Sequence, residues 1–187
     1  FEVSKVPGIG SVTDRVACEE PLEIRVEGEA LAVVMRTPGD DIELAAGFLH
    51  AEEFIKSADE IGTIEHCRST DDPDLFNVVN VRLALPEARV ALARKKAERG
   101  TVTSSSCGVC GKRTIESLHS SAKPFANTPE IDVALIASLP AKLRSAQAVF
   151  DATGGLHAAG IFDHAGNLVV LREDVGRHNA IDTIAGW

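Results

Sequence analysis

Leu156-His-Ala-Ala-Gly-Ile-Phe162, Asp163-His-Ala-Gly-Asn167, Leu168-Val-Val-Leu-Arg172 and Glu173-Asp-Val-Gly-Arg-His-Asn-Ala-Ile-Asp-Thr-Ile184 follow one another without interruption and together predict an α/β arrangement. The first and third pieces are short apolar runs of strand length. The Asp-, Gly- and Asn-bearing piece between them is turn chemistry, so the three predict a hairpin. The fourth predicts a helix capped by Glu173-Asp174. On a helix starting near Asp174, that residue, His178 and Asp182 share one face. A strand end running into a helix N-terminus is where α/β folds gather ligand groups. A purely structural cap with one satisfied histidine is the competing reading.

Upstream, Ile131 to Phe150 has helical composition, with Pro140 either starting a second helix or kinking the first. Thr153-Gly154-Gly155 stops it, and Gly154-Gly155-Leu-His157 forms a tight turn that could admit a ligand close to the backbone. Toward the N-terminus, Leu22-Glu-Ile-Arg-Val-Glu alternates with the period of a half-buried strand. Val12 to Ala17 before it and Ala30 to Met35 after it complete an expected three-stranded antiparallel meander, with a turn at Gly28-Glu29. Thr37-Pro38-Gly39-Asp40 carries a capping residue, an N-terminal proline and capping-box spacing. Thr37 is therefore expected to cap a helix whose apolar face is Ile42, Ala45, Ala46, Phe48 and Leu49. Two further strands are expected at Ile61–Cys67 and Leu75–Leu83, joined by the acidic turn Asp71-Asp72-Pro73-Asp74. A helix is expected from Glu87 to Arg99. The organisation predicted is a β-rich part with one capped helix (1–100), a mobile loop and short helix (101–130), and an α/β core (131–187). Apolar residues still recur at Ile181, Ile184 and Ala185, which leads to the expectation of a core truncated at its C-terminal side.

The 187 residues carry a net charge of −9, from 19 basic and 28 acidic residues. Nucleic-acid binding needs clustered cations, so this balance argues against it. Arg94-Lys95-Lys96 with Arg99 reads as a solvated helix face or a local landing site for an anion. No stretch approaches the roughly 20 apolar residues of a membrane span. The opening Phe1-Glu-Val-Ser-Lys-Val lacks the basic and apolar regions of a secretory signal, and a cytoplasmic location is expected.

Of the four cysteines, Cys18 and Cys67 stand alone and only Cys107-Gly-Val-Cys110 forms a motif, which fits a reducing compartment. Spacing alone leaves three chemistries open. Dithiol exchange would want an apolar strand leading in, whereas Thr101-Val-Thr-Ser-Ser-Ser106 is polar. Structural zinc would need a second ligand pair, and no other C-x-x-C or H-x-x-H is present. The third is an accessible thiolate that accepts and passes sulfur. Lys112, Arg113 and a nearby helix N-terminus would favour the thiolate, and Gly108 and Gly111 remove bulk around it.

Five segments together resemble the formate dehydrogenase accessory sulfurtransferases, the FdhD family. They are Glu19-Glu-Pro-Leu-Glu-Ile-Arg-Val, Met35-Arg-Thr-Pro-Gly-Asp-Asp with Glu43-Leu-Ala-Ala-Gly-Phe-Leu, Thr103-Ser-Ser-Ser-Cys-Gly-Val-Cys-Gly-Lys112, Thr153-Gly-Gly-Leu-His-Ala-Ala, and Arg172-Glu-Asp-Val-Gly-Arg-His-Asn-Ala. The resemblance implies an α/β fold with a cytidine-deaminase-like core, a homodimer, and transfer of persulfide sulfur from a cysteine desulfurase to the molybdenum bis(guanine dinucleotide) cofactor of formate dehydrogenase. It implies Cys107 as the persulfide carrier and Cys110 as its partner. A guanine nucleotide is the expected mimic of the cofactor. Arg172, Arg177 and His178 are the candidate contacts to its anionic part, and no metal ligands are assigned. The helix beginning His178-Asn-Ala180 carries alanine where a deaminase has its catalytic glutamate, so deamination would lack its proton shuttle. A cofactor-binding chaperone without sulfur transfer and a zinc or redox C-x-x-C module are the rival readings.

Overall fold

The structure is a computed structural model that describes residues 2–4, 11–67, 76–84 and 130–187. The acidic turn at 71–74, the helix expected at 87–99 and the Cys107-x-x-Cys110 loop lie outside the described residues.

The architecture is mixed α/β. β1 (Glu2–Ser4) and β2 (Ser11–Thr13) form a two-stranded antiparallel ribbon. A four-stranded sheet in the order β4-β3-β6-β5 combines β3 (Glu20–Val26), β4 (Glu29–Arg36), β5 (Ile61–His66) and β6 (Val78–Leu83). β3 pairs antiparallel with β4 and parallel with β6, while β5 and β6 are antiparallel. The expected three-stranded meander is thus a hairpin only. Ser11–Thr13 pairs with β1 instead of β3, and β3 takes the distant β6 as its second neighbour.

Alternation in β3 does what its period demands: Leu22, Ile24 and Val26 are buried, while Glu23 and Arg25 are not. The register slips between Ile24 and Arg25, so the facing strand buries two successive residues, Leu31 and Ala32. The β3–β4 turn is Glu27-Gly28, one residue earlier than expected, with both φ angles positive (53° and 84°). β6 holds this turn from the side. Gly28 N donates to the Asn80 side chain at 2.9 Å, and Leu83 N donates to the Glu27 carboxylate at 2.7 Å.

α1 (Asp41–Ala51) covers the sheet with Leu44, Ala45, Phe48 and Leu49. Ile42, expected on this face, is instead 38% exposed. Thr37 does not cap the helix. The N-cap is Asp40, with no side-chain cap bond, because Thr37 is engaged by a distant strand.

The C-terminal part opens with α2 (Val133–Ala146), whose Asp132 side chain accepts from Ala134 N at 2.8 Å. Pro140 is accommodated inside this one helix. α3 (Ala148–Thr153) follows and ends at Gly154, in the left-handed region with φ 68°. The hairpin of β7 (His157–Phe162) and β8 (Leu168–Asp174) forms around Asp163, which accepts from Ala165 N, Asn167 N and the Asn167 amide.

α4 (Arg177–Gly186) then packs against α1. Both helices use glycine at the crossing. A Cβ on Gly47 would stand 1.6 Å from the Asp182 carbonyl oxygen, and one on Gly186 would stand 2.0 Å from that of Glu43. Gly47→Ala should therefore cost roughly 2 kcal/mol or more, overpacking outweighing the gain in helix propensity. Chemical denaturation checks this; a variant as stable as the parent would mean that the helices do not meet this closely.

Candidate functional site

β8 ends in three charged residues, and each reaches a different element. Arg172 donates through Nε and Nη2 to the two carboxylate oxygens of Glu43 on α1, at 2.6 and 2.8 Å. Its Nη1 donates to the Leu171 carbonyl at 2.8 Å, and Asp40 stands 3.4 Å from Nε. The pair with Glu43 keeps Arg172 cationic, while burial pushes the Asp40 carboxyl up against the opposing pull of Arg172. Glu173 accepts from Val149 N and Phe150 N at 2.9 and 2.8 Å. It supplies the N-terminal cap that α3 lacks from its own Gln147.

Asp174 is buried and accepts three bonds: from Thr37 N at 2.9 Å, Gly176 N at 2.7 Å and the Asn179 amide at 2.8 Å. Burial pushes its carboxyl up, and those same donors pull the other way. Val175 N donates to the Thr37 hydroxyl at 3.1 Å, and the Asn179 amide also reaches the Met35 carbonyl at 2.7 Å. The 35–43 and 172–179 motifs are therefore one interlocked unit. Beside them, Arg36 is 2% exposed and grips Asp41 with two bonds, at 2.8 and 3.0 Å, while also reaching Asn77.

The expected helix cap is corrected accordingly. α4 starts at Arg177 with Gly176 as N-cap, and Asp174 closes β8 instead of sharing a helix face with His178 and Asp182. Gly176 is needed for space: a Cβ there would lie 2.9 Å from the Asn179 amide nitrogen. The Thr153–Ala159 segment joins at the same place, because His157 pairs across the hairpin with Asp174 and is exposed.

Of the three proposed anion contacts, Arg172 is occupied by Glu43. Arg177 is exposed, and His178 is partly exposed on the first turn of α4. Among the described residues, neither Arg177 nor His178 makes a hydrogen bond or ion pair. Cys107 and Cys110 lie outside the described residues. The single sequence offered no signal for pairing Glu43 with Arg172 or Thr37 with Asp174; only packing brings them together.

The FdhD/NarQ family model matches residues 17–187. The chain belongs to the FdhD/NarQ family. Its curated relatives include proteins named sulfur carrier protein FdhD. The one from Streptomyces avermitilis is 48% identical over 178 residues, 92% of this chain and 62% of the relative. The one from Mycolicibacterium paratuberculosis is 46% identical, covering 93% and 64%. The chain thus spans just over three fifths of the length of these relatives. A crystal structure assigned as a formate dehydrogenase accessory protein, from Desulfotalea psychrophila, matches with a TM-score of 0.63 at 24% identity. It covers all of this chain and 63% of that one, and shares the fold. No helix among the described residues is long and apolar enough to cross a membrane.

Two expectations follow for the β8–α4 segment. Asp174→Ala strands three donors and should cost roughly 2–4 kcal/mol in urea denaturation; a loss under about 1 kcal/mol would show the network to be incidental. Asp182 behaves differently. Burial raises its carboxyl from 3.8 to about 7, with the Glu52 carboxylate adding to the rise. The folded protein then holds a proton that the unfolded chain has released, so this contribution is complete below about pH 4. It is lost as pH rises to about 7. Asp182→Asn should flatten this decline and be the more stable form at alkaline pH, read from denaturation midpoints across pH; parallel profiles would contradict it.

Proposed function

We propose that this chain carries sulfur as a persulfide on Cys107, taking it from a cysteine desulfurase and passing it to the molybdenum bis(guanine dinucleotide) cofactor of formate dehydrogenase. The observation that carries this reading is the family match across residues 17–187, which includes Cys107 and Cys110, together with relatives named as sulfur carriers. Loading balances without an outside oxidant. The Cys107 thiolate attacks the outer sulfur of the desulfurase persulfide, one S–S bond forms as another breaks, and the desulfurase thiolate leaves. Cys110 is the resolving partner. Its attack on the inner sulfur of the Cys107 persulfide would expel sulfide and leave a Cys107–Cys110 disulfide, which a dithiol reductant reopens.

The cofactor is the client in this reading. Arg177 and His178 are assigned to its anionic part, because neither has a hydrogen-bond or ion-pair partner among the described residues and both stand at a helix start whose backbone dipole adds positive potential. Arg172 is held by Glu43. A cytoplasmic homodimer meeting a desulfurase and formate dehydrogenase completes the proposal.

Incubation of the protein with a cysteine desulfurase and cysteine should add the mass of one sulfur atom. That gain should be absent in Cys107→Ala and present in Cys18→Ala, read by intact-mass spectrometry. A parent protein that gains no sulfur would favour a chaperone that escorts cofactor or apoenzyme without transfer.

A further inference from the structure

Arg172 and Arg177 are the two arginines of the 172–179 motif, and the structure treats them oppositely. Arg172 faces two carboxylates: Glu43 takes Nε and Nη2, and Asp40 stands 3.4 Å away. One positive charge against two negative ones leaves this spot repulsive to an incoming phosphate. Arg177 is exposed and has no such partner among the described residues.

The Glu43–Arg172 pair also has a particular place in the fold. Arg172 lies two residues before the end of β8, just ahead of the Val175-Gly176 step into α4. Glu43 sits in the first turn of α1, and its carbonyl oxygen is the atom that Gly186, at the far end of α4, packs against. One residue therefore touches the strand that leads into α4 and the last turn of that helix. A bidentate guanidinium–carboxylate pair fixes direction as well as distance, which a single point contact would not do.

We infer that Glu43 is a positioning residue for the anion-binding start of α4, acting through Arg172, and that Arg172 itself does not touch the ligand. The inference rests on the proposed role of Arg177 and His178 as the cofactor's anion contacts. Glu43 orients the end of β8, the end of β8 sets the first turn of α4, and that turn presents Arg177. Asp174 and Thr37 hold the same turn by hydrogen bonds.

The sign of one substitution separates the two roles. Glu43→Gln removes a negative charge and frees the Arg172 guanidinium. If Arg172 were a phosphate contact, guanosine diphosphate would bind more tightly. If Glu43 positions the site, binding weakens, by roughly threefold to tenfold for the loss of one charge-assisted contact. Calorimetric titration of the intact protein with guanosine diphosphate reads this directly, and unchanged or tighter binding overturns the inference.

The exchanged pair, Glu43→Arg with Arg172→Glu, should recover binding to within about twofold, since cycle-type rescue reports coupling between the two side chains. A direct contact at Arg172 would be abolished by it. Should the exchanged protein not fold, Glu43→Gln alone still decides. Arg177→Ala tests the underlying reading separately: parental affinity in that variant, or no nucleotide binding by the parent, sinks the site assignment. Glu43 is then judged without ligand, by hydrogen exchange at the amides of residues 177–180. Faster exchange in Glu43→Gln supports positioning, and unchanged exchange overturns it.

Discussion

Two backbones meet where α1 crosses α4, and most of what distinguishes this fold depends on that contact. Ordinary side chains hold helices about 8–10 Å apart. Gly47 and Gly186 leave no room for a Cβ, because the carbonyls of Asp182 and Glu43 occupy the space. The approach brings the β4–α1 corner against the β8–α4 corner, within hydrogen-bond reach. Thr37 can then meet Asp174 and Val175, Asn179 can meet Met35, and Glu43 can meet Arg172. Larger residues at the crossing would hold these polar groups apart and leave several of them buried without partners.

A chain of net charge −9 must place its positive potential with care if it is to receive an anionic ligand. The motif does so by division of labour. Arg172, Glu173, Asp174 and Asn179 are spent inside the protein, on α1, α3, the 37–40 loop and β4 respectively. Arg177 and His178 remain outside that network, at the start of α4, which Asp174 and Asn179 tie down. Rigidity and availability are thereby assigned to different residues of one short segment, the arrangement expected where a site must hold its geometry before ligand arrives. The carboxyls of Asp40, Asp174 and Asp182 are all pushed up by burial, so the same junction loses stability as pH rises.

Much of the local structure was legible. The alternation of Leu22, Ile24 and Val26, the Asp163–Asn167 turn and the Gly154 helix stop each follow from neighbours within a few residues. Two readings failed for a shared reason. Thr37 and Asp174 have the chemistry of helix caps and stand where caps belong, yet each is used by the other's element. Propensity ranks what a side chain can bond locally. A buried partner from a distant element outbids it, because leaving that partner unsatisfied costs more.

Most of the described strands and helices, the mixed α/β class and, through five ordered motifs, the family follow from residue order alone. Those features are written in short-range periodicity, turn chemistry and residue identity. Which charges of the 172–179 segment are structural, and which have no partner among the described residues, depends on packing instead. The bonds that make this distinction join residues 129 to 144 positions apart, Arg172 to Glu43 and Asn179 to Met35. No local pattern encodes such a pairing; it exists because two glycines let two helices touch.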